Sequence, residues 1–143
     1  MIDLRFLESM GKLRKRSPDI PRARSLVESC ESNMRAISMV GLNSNTSTII
    51  FRETYESLRQ LGDARWWWMG YEPKDHEASM KIIQEEKISR YSKLQKLDRF
   101  REIRNEANYS GYKVPLEVTK EILAFWDDCG NELLVRMKKD LKM

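Results

Sequence analysis

Apolar residues recur along this chain at intervals of three and four, and no set of alternating strands separated by hairpin turns interrupts them. That spacing belongs to amphipathic helices, so the pattern predicts an all-α chain. Leu4, Leu7, Met10 and Leu13 fall at every third position of a short leading helix. The basic cluster of residues 12–16 follows, expected as a solvated helix end, and then the breaker Ser17, Pro18 and Asp19. From about Asp19, the positions Ala23, Leu26, Val27, Cys30, Met34 and Ile37 trace one helix face that closes near Gly41. The polar turn 43–47 supplies N-cap residues for a second long helix carrying Phe51, Tyr55, Leu58 and Leu61 to Met69, with Gly70 as its stop.

Trp66, Trp67 and Trp68 stand in a row at the end of that helix. Consecutive helical residues are about 100° apart, so the three rings fan over about 200° and cannot share one core stripe. At least one is expected to be exposed or in an interface. A third helical stretch runs from His76 to Tyr109, with a register drift at residues 84–87 that predicts a kink or two pieces. A fourth starts at Pro115, suited to a first helical position, and runs to about Lys139. Its two apolar stripes, one through Val118, Ile122, Phe125, Cys129 and Leu133 and the other through Leu123, Trp126, Leu134 and Met137, make a broad face. Such a face predicts more than one neighbour, a second subunit among them, and hence a homodimer.

At 143 residues the chain is expected to form one domain, a short N-terminal helix and basic segment at 1–17 followed by a main bundle at 18–143. Lys and Arg total 26 against 22 for Asp and Glu, a net charge of +4 that permits a polyanionic partner without demanding one. Cys30 and Cys129 are far apart and outside any CxxC pattern, which predicts reduced core thiols and no zinc site. No apolar run reaches the roughly 18 residues of a membrane span, and the first residues lack a signal-peptide core. A cytoplasmic protein is therefore expected. The one histidine, His76, cannot supply the paired ligands of common zinc sites and has no nucleophile elbow beside it. The adjacent carboxylates Glu85 and Glu86, and Asp127 and Asp128, point apart. No metal or cofactor is expected.

The chemistry concentrates at residues 101–111, where Arg101, Arg104, Asn105, Asn108 and Tyr109 crowd one helix end. Arg101 and Arg104 are three apart, and Arg104 and Asn108 four apart, so they share a face and can converge on one anion. The bland alternative is a cationic last turn that complements the helix dipole, with Gly111 as the stop.

Several segments together resemble the HEPN (higher eukaryotes and prokaryotes nucleotide-binding) superfamily of small helical bundles. They are residues 7–14 (LESMGKLR) with the Ser17–Pro18–Asp19 breaker, 23–31 (ARSLVESCE), 55–59 (YESLR), Gly70 and Tyr71, and 76–78 (HEA). Most specific is 97–109 (LDRFREIRNEANY), similar to the family signature of an Arg-Asn pair followed by His or Tyr. The resemblance covers nearly the whole chain. It implies an up-and-down bundle of four or five helices forming a two-fold dimer, with the signature regions of both subunits lining a shared cleft.

Active ribonucleases of that family use Arg, four to six residues, then His. Here Arg104 and Asn105 match the start of the motif, while Tyr109 stands where the first such His would be. An ordinary phenol of pKa ~10 is ionised in about one molecule in a thousand at pH 7, so it is a weak general base for a ribose hydroxyl. His76, remote in sequence, is not expected to act as the base. The resemblance thus implies a non-catalytic module that binds a nucleotide, an RNA segment or a partner protein through Arg104, Asn105 and Tyr109. The partner it implies is a nucleotidyltransferase, as in toxin–antitoxin pairs. The alternatives are a metal-independent ribonuclease of low activity, with Tyr109 as proton shuttle, and a purely structural helical dimer.

Overall fold

The chain runs through α1 (Leu4–Ser9), a strand β1 (Leu13–Lys15), α2 (Ile20–Ser38), α3 (Ser47–Met69), a strand β2 (Tyr71–Pro73) and α4 (His76–Gln84). A 3-10 turn (Tyr91–Gln95) then leads into α5 (Lys96–Tyr109), followed by α6 (Leu116–Phe125), a π turn (Trp126–Gly130) and α7 (Asn131–Asp140). The computed structural model describes residues 2–143. The fold is mostly helical, with α3 as its axis: α2, α4, α5, α6 and α7 all pack against it. Its buried residues lie on every side, from Phe51, Tyr55 and Leu58 to Asp63, Ala64, Arg65 and Trp66. A helix covered all round belongs inside a bundle.

The ends follow local chemistry. The side chain of Asp19 accepts from Arg22 N at 3.0 Å to start α2, and Asp75 accepts from Ala78 N at 2.9 Å to start α4. Gly70, at φ +94°, closes α3 in the left-handed conformation that favours glycine. The chain then turns back along the basic segment. Residues 12–16 are therefore not a solvated helix end: β1 pairs antiparallel with β2, Leu13 opposite Pro73 and Lys15 opposite Tyr71. Leu13 is buried, and the expected all-α chain carries this one small ribbon. The drift at 84–87 is a full break between α4 and α5.

The three tryptophans divide as their fan requires. Trp66 is fully buried and donates from Nε1 to the Ala78 carbonyl at 2.9 Å. Trp67 is half-buried beneath the Arg22 guanidinium, and Trp68 is exposed beside Arg65. The last helix differs from its expected form. Pro115 is its N-cap rather than its first residue, and the π turn interrupts it. That turn places the Trp126 ring where a side chain at position 130 would sit, 2.3 Å from a Cβ built on Gly130. Trp126, Leu133, Leu134 and Met137 are buried within the chain, while Val118 and Leu123 of the same broad face remain partly exposed. Cys30 and Cys129 are buried free thiols.

Candidate functional site

Phe100 fixes how α5 is rotated. Its fully buried ring meets Phe51 and Phe125 edge-on, at 6.0 and 5.5 Å between centroids. With Leu97, Phe100 and Ala107 turned into the core, Arg101, Arg104 and Asn105 emerge along the flank facing the start of α4. No cation lies in the last turn of α5, so these arginines do not serve as its dipole complement. Gly111, at φ +68°, follows the Ser110 cap, and Ser110 N and Tyr112 N both donate to the Glu106 carbonyl.

The first turn of α4 is held equally firmly. A Cβ on Gly62 of α3 would lie 2.2 Å from the Ser79 carbonyl oxygen, so the two helices touch backbone to backbone there. Between α4 and α5 lies an open cleft of about 300 Å³, lined by Asp75, His76, Glu77, Arg101, Arg104, Asn105 and Tyr109. Four of the five site residues named from the sequence share it. Asn108 is not in its lining and instead steadies Arg104: with its amide oxygen turned to the guanidinium, it accepts from Nε and Nη2 at 3.1 and 3.2 Å. Arg104 Nη1 also donates to Asn105 Oδ1 at 3.1 Å, and the guanidinium carbon lies 5.7 Å from the Tyr55 ring centre.

The charge pattern is asymmetric. Arg59, half-buried behind the cleft, is paired with both Glu56 and Asp63. Arg65, on the far side of α3, is paired with Glu86 at 2.6 Å and Asp140 at 2.8 Å. Arg104 has amides and a ring around it but, among the described residues, no carboxylate within ion-pair reach. Arg101 likewise forms no ion pair and acts on Glu77 only at longer range. The two rim carboxylates are already engaged: Glu77 by Lys12 and Lys81, and Asp75 by Lys12 at 3.9 Å and by the α4 cap. The cleft is left with positive charge to spare.

Tyr55 lies beneath it, fully buried, its hydroxyl without a hydrogen-bond partner among the described residues. Burial pushes this phenol up to about 12 against the opposing pull of Arg104, Arg101 and Arg59, which keeps it protonated. His76 opens α4 with its ring 6.4 Å from that of Tyr55. Burial, then the Arg59 and Arg104 charges, hold its imidazole below the ordinary value. Tyr109 is largely exposed at the cleft mouth. The sequence carried no spacing signal for His76, since residues 76 and 104 meet only because α4 and α5 pack on the same side of α3.

No protein-family model, curated protein or solved structure matches this chain. Among the described residues no group of three or more His, Cys, Asp or Glu is placed to hold a metal ion, and no helix is long and apolar enough to cross a membrane.

Proposed function

We propose that the chain is a HEPN-like, cytoplasmic, dimeric module that binds the phosphate of a nucleotide or RNA segment in the Arg104 cleft without cleaving it. The observation that carries this is the guanidinium of Arg104, pre-set by Asn105 and Asn108 on an open cleft with no carboxylate in ion-pair reach among the described residues, whereas Arg59 behind the cleft and the buried Arg65 are each paired with two carboxylates. Two amide oxygens orient the fork but leave its charge for an anion. Arg101 adds a second cation, and Tyr109 an exposed ring at the mouth, the combination that suits a base attached to a phosphate.

Anisotropy with labelled single-stranded RNA, and calorimetry with nucleotides, test this. Arg104→Ala should weaken binding by roughly 1.5–3 kcal/mol, about 10- to 150-fold, while leaving the fold intact. RNA affinity should fall with added salt. If no nucleotide or RNA binds and Arg104→Ala chiefly lowers the melting temperature, the set is structural. Light scattering checks the dimer, and a clean mass of 17.0 kDa would refute it.

A second reading, RNA cleavage, draws support from one observation: His76, an imidazole held largely neutral, lines the same cleft as Arg104. It would supply the base that Tyr109 cannot. Robust cleavage abolished by both Arg104→Ala and His76→Gln would establish that reading in place of the first.

A further inference from the structure

His76 carries an inference that the sequence motif does not contain. The imidazole is half-buried, yet among the described residues neither ring nitrogen hydrogen-bonds a protein group. The ring lies tilted beside that of Tyr55, 6.4 Å between centroids, and the residue lines the same cleft as Arg104 and Asn105. A half-buried polar ring on the cleft wall with its nitrogens unclaimed is placed to meet whatever the cleft holds. We propose that His76 is a direct ligand of the anion bound in this cleft, taking up one proton from solvent as a phosphate-type oxyanion seats beside Arg104. The inference rests on reading the cleft as an anion site and adds to it a proton-coupled contact from a different helix.

The electrostatics around the ring give the coupling its direction. From α3 it is faced by Tyr55, Glu56 and Arg59, from α5 by Arg101, Arg104 and Tyr109, and on its own helix turn by Asp75 and Glu77. Glu56 is occupied by Arg59, and Glu77 by Lys12, so the acids near the ring are largely compensated while Arg104 is not. With the cleft empty, burial first, and then the charges of Arg59 and Arg104, favour neutral imidazole. An oxyanion between Arg104 and His76 offsets the Arg104 repulsion and adds an attraction of its own. The proton is then favoured, and by linkage the anion binds more tightly as pH falls toward the value at which free His76 titrates. Tyr55, already protonated, does not compete for this role.

The chain has a single histidine, so its imidazole resonance in a tag-free protein reports His76 without assignment ambiguity. The probe is inorganic sulfate, which does not itself titrate between about pH 5 and 8 and therefore cannot mimic the effect as a phosphate monoester would with its second pKa near 6. The His76 titration is followed by NMR in sulfate and in chloride at equal ionic strength, with the α5 amides recording sulfate occupancy. Sulfate should raise the His76 midpoint by about one unit, corresponding to roughly tenfold tighter sulfate binding at the acid end of the range than at the alkaline end. The rise should vanish in Arg104→Ala, and in His76→Gln sulfate binding should lose its pH dependence. If the α5 amides saturate with sulfate while His76 stays put, or His76 rises equally in Arg104→Ala, this inference is overturned and the anion-site reading stands. If neither responds, both fall. If sulfate moves His76 in an Arg104-dependent way but no nucleotide or RNA binds, the proton-coupled oxyanion site stands and the nucleotide reading falls.

Discussion

Gly62→Ala puts the helix contact that builds the cleft to a direct test. An alanine there places its Cβ 2.2 Å from the Ser79 carbonyl oxygen, 2.8 Å from its carbon and 3.0 Å from its Cα, all backbone atoms that no rotamer change can clear. Restoring even a 3.0 Å separation from the oxygen requires a displacement of at least 0.8 Å between α3 and α4. Two bonds cross the same contact: Ser79 Oγ to the buried Asp63 carboxylate, and Trp66 Nε1 to the Ala78 carbonyl. Overpacking of this kind costs about 1–3 kcal/mol, and weakening a bond to a buried charge adds about 1.5–3 kcal/mol. The higher helix propensity of alanine returns only about 1 kcal/mol. A net loss of roughly 2–4 kcal/mol is expected, or about 6–15 °C in melting temperature for a chain of this length. Because α4 carries His76, the sulfate response of the imidazole should shrink as well. Thermal melts followed by circular dichroism give the stability. Gly41→Ala is the control, since a Cβ there meets nothing within 4 Å and should shift stability by less than about 0.5 kcal/mol. If Gly62→Ala melts within a degree of the natural protein, the backbone contact is not as tight as described and the account of how His76 is positioned fails.

Gly130→Ala should cost about 1–3 kcal/mol by driving a methyl group into the Trp126 ring, and tryptophan emission, dominated otherwise by three unaffected rings, should change with it; unaltered stability would show that the π turn is not needed. Acid should destabilise the fold through His76. Its folded value lies below the unfolded one near 6.5, so the unfolded chain binds the proton first, and the contribution present above about pH 6.5 is lost as pH falls toward the folded value. His76→Gln should flatten that part of the melting-temperature profile, and an identical profile would contradict it. Cys30, pushed up to about 12 by burial, and Cys129, raised for the same reason, should react with a thiol reagent only as fast as the protein opens, and reductant should leave the melting curve unchanged. Rapid labelling of both thiols under native conditions would place them outside the core.

The helical periods, the stops at Gly70 and Gly111 and the split of the long third segment were legible in the sequence, because each depends on residues within a few positions of one another. So was the tryptophan fan, which follows from helix geometry alone. Arg101, Arg104 and Asn108 were placed on one face by the same rule, although Asn108 holds the Arg104 guanidinium rather than lining the cleft. Tertiary structure decided the rest. The basic segment became a strand because its partner, Tyr71–Pro73, arrives from the far end of α3. The polar Asp63 and Arg65 could enter the core because Ser79, Glu86 and Asp140, contributed by α4, the segment after it and α7, meet them there. Much of the broad last face was covered inside one chain, at a π turn where the Trp126 ring lies against Gly130, a matter of side-chain volume rather than hydrophobic period. His76 joined the arginines for a similar reason: periodicity fixes which residues share a helix face, but which faces meet depends on how closely two backbones can approach, and here a glycine on α3 sets that distance.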